Sequence, residues 1–366
     1  MLRAPGSPPR VFQRGGVVAI VIAGCLLLGR GAAAQNVDYS LDATVTFYGD
    51  NTEFFNPFRD GETTIGAHVF LVGEARTSDR LAIRAGVFGN QRFGSRDAFE
   101  EVRPVFTLAV GNARSQLLLG TIQTGRRAQG IGPDRSGPHS LLPPLQLETL
   151  AFTRPWEAGV QWLFDTADVK HESWVHWQRI ANAHQRERID AGAISRFKVH
   201  RAITIGGDFF IVHEGGQLTS NGRVGDSIAG SMGGEVGGAA GALDKLSLEA
   251  FIIGSRFDPN RADDSQTRAG LATFLRVSAE KDHWRAHAIL FRGDDFLAVE
   301  GDANYLSVRM DGTYYRNLRD YGEVGFTRAF SLAPESWLEA SLRGHRVEHH
   351  YDYSFRILAV AKLRID

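Results

Sequence analysis

Strict alternation of apolar and polar residues is the feature that most constrains this chain. Apolar side chains occupy every second position from Val37 to Phe47, and Asp, Ser and Thr fill the positions between them. A period of two over so many residues indicates a β-strand with one apolar face and one polar face. The segment is about twice as long as the five or six residues of an average strand in a soluble protein.

The same alternation returns along the rest of the chain, near residues 64–71, 80–87, 188–199, 203–211, 246–252, 268–280, 306–311 and 355–363. The predicted connections are alternately short and long. The short turns fall at 77–79, 112–114, 281–283 and 317–320, and the longer polar loops fall near 49–61, 91–103, 122–156, 178–187, 214–227, 257–267 and 293–304. Short turns on one side and long loops on the other are typical of outer-membrane barrels.

Long strands with one apolar face suit a sheet that is closed on itself in lipid. A bilayer offers no partner to backbone N–H and C=O groups, so a sheet that spans it must pair all of them internally. The pattern therefore predicts an all-β fold, a closed antiparallel transmembrane β-barrel of about 16 strands, with 14 to 18 as the range. A barrel of this size leaves an aqueous lumen.

The first residues have the composition of an export signal. Three arginines precede the apolar run Val17–Leu28, and Ala32–Ala34 provide a cleavage site for signal peptidase. We expect residues 1–34 to be removed and residues 35–366 to form a single barrel. The alternatives are an uncleaved anchor and a lipoprotein modified at Cys25, which ends the lipobox-like sequence Ile22–Cys25.

Charge and cysteine content exclude several classes of function. Residues 1–34 contain four arginines and no acidic residue, so 37 basic and 42 acidic residues remain, a net charge of about −5. No global basic excess favours nucleic acid. Cys25 is the only cysteine, so the mature chain would have no disulfide and no cysteine nucleophile.

The signal-like segment and the repeated amphipathic strands make the chain resemble bacterial outer-membrane porin-like barrels. The segment Tyr48–Thr63, which reads YGDN…FNPFRDGET, also resembles a stretch of uncharacterised outer-membrane proteins. The resemblance implies the outer membrane as location, with its lipid and the barrel-assembly machinery as partners.

Alternation assigns one face of each strand to the lumen, and this face carries many charges. A packed core could not bury them cheaply, whereas a wet lumen can. The predicted pore-lining residues are Arg84, Arg188, Asp190, Arg196, Lys198, Asp208, Glu249, Arg268, Arg276, Arg309, Asp311 and Arg356. The alternative is that opposite charges pair across strands and only support the barrel.

The longest loop, 122–156, is rich in proline and glycine. Loops of this length are usually functional or disordered. In porin-like barrels such a loop often folds inward, so Arg126, Arg127 and Arg135 are candidates for a constriction. A loop that remains outside the barrel is the alternative.

Motifs of enzymes are absent from the sequence. There is no phosphate-binding GxxxxGK[ST] segment, no GxSxG elbow and no zinc-protease HExxH helix. His345, His349 and His350 could bind a metal, but a solvated turn or loop between the last two strands is the favoured interpretation. We predict no metal, no cofactor and no catalytic residue.

These observations favour a porin-like channel for passive diffusion of small hydrophilic solutes, with a mild preference for anions and no enzymatic activity. The first alternative is an outer-membrane enzyme or surface-binding protein that acts through its loops. The second is a soluble secreted β-protein, which would not need the regular alternation of short and long connections. The oligomeric state and the solute stay open.

Overall fold

The chain forms one closed antiparallel barrel of 16 strands in the computed structural model, which describes residues 37–97, 99–122, 124, 138–216, 222–313 and 318–366. The strands are β1 (Asp38–Phe55), β2 (Asp60–Ser78), β3 (Leu81–Arg92), β4 (Glu101–Gly111), β5 (Ser115–Ile122), β6 (Glu157–Asp165), β7 (Val169–Arg179), β8 (Glu187–His200), β9 (Ile203–Gly215), β10 (Gly225–Ala240), β11 (Leu243–Asp258), β12 (Arg268–Lys281), β13 (Trp284–Asp294), β14 (Arg319–Ala333), β15 (Ser336–Val347) and β16 (His350–Ile365). The predicted fold class and strand number are confirmed.

Each strand pairs with its neighbours in the chain, and β1 closes the barrel on β16 in a register that runs from Leu41 opposite Ile365 to Glu53 opposite Tyr353. In the part of the chain that the structure describes, helical structure is limited to α1 (Leu150–Thr153) and to three 3₁₀ turns at Pro138–Ser140, Asp264–Gln266 and Ala303–Tyr305. Among the described residues, no helix is long and apolar enough to cross a membrane.

Burial follows the predicted alternation. On β8 the even-numbered residues Asp190, Ile194 and Arg196 are buried in the lumen, whereas the odd-numbered Phe197 is 44% exposed on the outer face. The short turns all lie at one end of the barrel, which we call the short-turn end, and the longer loops lie at the opposite, long-loop end.

Several predicted boundaries are wrong for one physical reason. The loop expected at 49–61 is only residues 56–59, because β1 continues through the polar residues Asp50 and Thr52, which point into the lumen. A polar stretch on a lumen wall has the composition of a loop, so composition alone cannot separate the two. The glycine-rich stretch near 229–242 is likewise a strand, β10, and a Cβ at Gly233 would lie only 2.0 Å from the Ala250 carbonyl oxygen.

The strand expected at 306–311 is also wrong, and so is the short turn expected at 317–320. Between β13 and β14, the described residues 295–313 and 318 form a loop at the long-loop end. Leu306 has the apolar character of a lipid-facing residue, but it is buried in the lumen. An apolar side chain is removed from water both on the lipid-facing surface and in the packed lumen, so the local pattern could not distinguish the two.

Candidate functional site

Two long loops turn back into the lumen at the long-loop end. The described part of the β5–β6 loop and the β13–β14 loop bury their apolar residues against wall side chains such as Ile253 and Phe274, in one cluster that includes Leu141, Leu142, Leu145, Phe296 and Tyr305. We call residues 138–153 and 296–306 the lumen plug. The two segments are joined by backbone hydrogen bonds, since Leu147 N–H donates to Glu300 at 2.7 Å and Asp302 N–H donates to Pro143 at 3.0 Å.

The lumen plug includes part of the loop 122–156 that was predicted to form a constriction. The described part of the long loop lies inside the lumen, as expected for a loop that folds inward. The candidates Arg126, Arg127 and Arg135 lie outside the described residues.

A serine, a histidine and an acid meet on the lumen wall beside the plug. Ser354 on β16, His345 on β15 and Glu323 on β14 occupy inward positions of three adjacent strands, and all three are buried. Ser354 Oγ lies 2.8 Å from His345 Nε2. His345 Nδ1 lies 2.8 Å from Tyr321 Oη and 3.5 Å from Glu323 Oε2. We call Ser354, His345, Tyr321 and Glu323 the Ser354 cluster.

The hydrogen bonds around His345 select one tautomer. The Tyr321 hydroxyl donates to Glu323 Oε2 at 2.6 Å, so its oxygen accepts from the Nδ1–H of His345. Nε2 is then the lone-pair nitrogen, and it accepts the Ser354 hydroxyl proton. His287 Nε2 contacts the other oxygen of Glu323 at 2.8 Å and holds that carboxylate from a fourth strand. The arrangement is that of a nucleophile, a base and an orienting acid.

Charged side chains of both signs surround the same cavity. Glu148 of the plug accepts hydrogen bonds from Arg343 at 2.8 Å and from Arg356 at 3.2 Å, and Arg356 also donates to Asp50 at 2.7 Å. Burial alone would raise the pKa of Glu148, but the two guanidinium groups outweigh it and lower the pKa to about 2. Together with Ser354 and His345, these side chains line a cavity of about 30 Å³.

A second buried polar cluster lies where the plug meets β6, β7 and β8. His139 contacts Glu172 Oε1 through Nδ1 at 2.5 Å and Glu157 Oε2 through Nε2 at 2.8 Å, and its ring stacks on Trp174 at 3.8 Å. Burial would lower the pKa of His139, but the two carboxylates outweigh burial and raise it to about 10. His139 is therefore an imidazolium that anchors the plug to the wall.

The same cluster continues to His176, whose Nδ1 lies 3.1 Å from Asp190 Oδ2 and 3.6 Å from Glu157 Oε2. All of these side chains are buried, and they belong to neighbouring inward positions of the barrel wall. Of this cluster, only Asp190 was among the predicted pore-lining residues. His139 lies in the predicted loop 122–156, and Glu157 directly follows that loop.

The structure places most of the predicted pore-lining residues on the inner wall. Asp190, Arg196, Asp208, Glu249 and Arg276 are buried there. Others lie at inward positions with partial or full exposure, namely Arg84, Arg188, Lys198, Arg268 and Arg356. Whether these residues border a permeation path remains a prediction.

Many of these charges are paired, as the structural alternative anticipated. The shortest contacts join Arg84 to Glu74 at 2.6 Å, Arg188 to Glu300 at 2.6 Å, Arg196 to Asp208 at 2.5 Å and Arg356 to Asp50 at 2.7 Å. The lumen is therefore closer to a network of ion pairs than to a row of unpaired cations.

Arg309 and Asp311 are wrong as wall residues. Both lie on the exposed part of the β13–β14 loop, because the segment interpreted as a strand is a loop. The three histidines near the C-terminus are also separated. His345 faces the lumen, whereas His349 and His350 are exposed at the β15–β16 turn, so they form no common metal site.

Sequence reasoning missed Ser354 and Tyr321 as functional residues. Ser354 has no local motif, since its partners come from two other strands. The available signal was the alternation along each strand, which places Ser354, His345 and Glu323 on the inward face.

Comparisons with solved structures support the fold. A loop L8 deletion mutant of OmpT, an outer-membrane protein of Vibrio cholerae, has a TM-score of 0.57 at 10% identity, and the match covers 90% of this chain and 100% of that chain. In vitro folded OmpT in its trimer form has a TM-score of 0.53 at 10% identity, with coverage of 90% and 100%. The outer-membrane protein OpdK of Pseudomonas aeruginosa has a TM-score of 0.51 at 10% identity, with coverage of 90% and 99%. The chain thus shares the closed-barrel fold of these outer-membrane proteins.

A family comparison overturns one prediction. No curated protein matches the chain. A family model described as lipid A 3'-O-deacylase-type, however, matches residues 32–364. This family is named for an enzyme activity, so the expectation of a protein without enzymatic activity is wrong. Because the match covers nearly the whole chain, the protein belongs to the lipid A 3'-O-deacylase-type family.

Proposed function

We propose that this protein is an outer-membrane acyl-ester hydrolase that removes an ester-linked acyl chain from a glycolipid of the lipid A class. The observation that carries the proposal is the 2.8 Å contact between Ser354 Oγ and His345 Nε2, in the tautomer that makes Nε2 a base. Family membership supplies the substrate class.

The proposed reaction is a two-step acyl transfer. Ser354 Oγ attacks the ester carbonyl carbon while its proton moves to His345 Nε2. The C–O bond to the sugar oxygen then breaks, and this oxygen takes the proton from His345. A water molecule then gives a proton to the same nitrogen and attacks the acyl carbon. The bond from this carbon to Ser354 Oγ breaks, His345 returns the proton to Oγ, and the fatty acid is released.

The remaining residues of the Ser354 cluster orient the base. Tyr321 and Glu323 hold the Nδ1–H side of the ring, so Nε2 points to Ser354 and the imidazolium formed during attack faces a carboxylate. Removing such an orienting group in a triad leaves the geometry but favours the wrong tautomer.

Arg343 and Arg356 provide the recognition of negative charge. Both already hold the carboxylate of Glu148, so the site accepts an anionic group at this position. The cavity of about 30 Å³ holds about one water molecule. An acyl ester therefore reaches Ser354 only when the plug segment with Glu148 withdraws, and an anionic group of the substrate takes the place of Glu148 on the two arginines. Movement of loops that sequester the reaction is common in enzymes.

The experiment is deacylation by the purified, folded barrel. We expect purified lipid A, incubated in detergent with the protein, to lose one ester-linked acyl chain and to release the corresponding fatty acid, both detected by mass spectrometry. Heat-unfolded protein is the control. If the folded barrel leaves lipid A intact under conditions in which it keeps its heat-modifiable mobility, the proposal is wrong.

The second candidate function is passive diffusion of small anions. It is favoured by a cavity of about 240 Å³ at the short-turn end, whose lining includes Lys170, Lys198, Arg201 and Lys245. This function requires the lumen plug to leave a path past its apolar cluster.

Planar-bilayer recordings test this candidate. We expect discrete conductance steps and a zero-current potential that favours anions, with Lys198→Glu shifting that potential toward cations more strongly at low salt than at high salt. Arg309→Glu, on the exposed loop, is the matched control and should leave the potential unchanged. A purified barrel without conductance steps would contradict a channel.

A further inference from the structure

The second polar cluster contains three potential metal ligands from three neighbouring strands. Glu157 is the first residue of β6, His176 lies on β7 and Asp190 lies on β8, directly opposite His176 in the strand register. One ligand atom of each residue lies within 4.8 Å of the other two, and all three side chains are buried. The pairs that involve His176 Nδ1 are 3.1 Å and 3.6 Å long.

These separations fit a metal centre. Tetrahedral zinc binds imidazole nitrogen and carboxylate oxygen at about 2.0 to 2.2 Å, which places ligand atoms about 3.4 Å apart. The distances of 3.1 Å and 3.6 Å bracket that value. A site with one imidazole and two carboxylates suits zinc and neighbouring divalent transition metals more than calcium or magnesium, which prefer oxygen alone.

An independent observation points to a missing partner for the same carboxylate. Glu157 Oε1 is fully buried and has no hydrogen-bond partner, although the side chain is 0% exposed. Buried carboxylate oxygens are normally paired, because desolvation without a partner is costly. A cation held by this carboxylate would remove that cost.

The charge of the surroundings agrees. Glu157, Glu172 and Asp190 bring three carboxylates into one buried space, where the ring nitrogens of His139 contact Glu157 and Glu172. The nearby guanidinium of Arg154 bonds to Glu300 at 3.1 Å. The cluster is therefore rich in negative charge at the place where the ligand atoms converge.

We propose that Glu157, His176 and Asp190 form a binding site for one divalent transition-metal ion of the zinc class. The ion would join β6, β7 and β8 beneath the plug. This site is separate from the Ser354 cluster, and the proposal does not rest on ester hydrolysis.

The test uses the full-length folded barrel, stripped with a chelator and titrated with Zn²⁺ against a chromophoric competitor. We expect one ion per chain, and we expect Co²⁺ in its place to give the intense visible absorption of a tetrahedral site. His176→Ala should weaken binding by more than about 100-fold, since even second-sphere partners of metal ligands contribute 10- to 100-fold.

His171→Ala is the matched control. It removes a histidine from the same strand, but His171 lies at an odd-numbered, outward position and contacts Ser195. We expect its Zn²⁺ affinity to equal that of the unaltered protein. Heat-modifiable mobility establishes that each variant is folded.

Two results would overturn the proposal. One is the absence of stoichiometric Zn²⁺ or Co²⁺ binding by the unaltered folded protein. The other is equal affinity of the two histidine variants, which would place any bound ion elsewhere. Metal binding by the unaltered protein does not depend on any variant. It therefore tests the proposal even if the His176→Ala protein does not fold.

Discussion

Replacing Ser354 with alanine is expected to lower kcat for acyl release by at least about 10³-fold while the barrel remains folded. Loss of the nucleophile in a serine triad removes nearly all covalent catalysis, and the residual rate comes from binding and charge stabilisation alone. KM should change little, because Arg343 and Arg356 continue to bind the anionic part of the substrate. The measurement is steady-state release of fatty acid from lipid A by the purified variant.

Ser341→Ala is the matched control for this variant. Ser341 also lies on the inner wall, two residues from Arg343 on β15, but toward the short-turn end and outside the Ser354 cluster. We expect its kcat to remain within about twofold of the unaltered protein, as for most substitutions away from a site. Equal activity of the Ser354 and Ser341 variants would show that Ser354 is not the nucleophile.

Replacing Arg319 with alanine is expected to release the β13–β14 loop from the lumen. The Arg319 side chain is 0% exposed, its guanidinium lies 3.4 Å from the ring centroid of Phe58, and it donates to the Leu306 carbonyl at 2.5 Å. It therefore joins two loops at the long-loop end. Loss of the buried hydrogen bond and the cation–π contact should cost about 2 to 4 kcal/mol of loop docking.

Limited proteolysis of the folded barrel measures this release. Cleavage within residues 295–318 should be about 10²-fold faster in the Arg319→Ala variant, because it follows the population of the open loop. Arg309→Ala, on the exposed part of the same loop, should change the rate by less than about threefold. Equal cleavage of both variants would indicate that Arg319 does not hold the loop.

The barrel was predictable because lipid and water impose opposite demands on alternate residues. This physical cause acts at every strand, so the inward parity of Asp190, Arg196 and Asp208 follows from the sequence alone. Strand ends were less predictable. Asp50 and Thr52 are polar residues inside β1, because the lumen accepts polar side chains. The composition of the sequence therefore does not change where the strand ends.

The sequence analysis expected the long loop to fold inward, but it could not predict the packing of the plug or the partners within the two polar clusters, for a different reason. Leu306 and Tyr305 are apolar because they fill the lumen, yet the same residues would suit a lipid-facing strand. Ser354 and His345 become partners only through cross-strand register, and the register of Arg343 opposite Ser354 is a property of the closed barrel. The alternation along one strand does not show which residues of the neighbouring strand lie opposite.

Closure of the barrel through β1 and β16 gives the proposed hydrolase a built-in dependence on complete assembly. The strands of the Ser354 cluster, β14 to β16, are the last three of the barrel, and Arg356 meets Asp50 only across the seam between β16 and β1. The plug residue Glu148 is held by that same arginine. Before the barrel closes, the chain therefore has its proposed nucleophile but no arranged pocket, and we expect the capacity to hydrolyse lipid to arise only after closure.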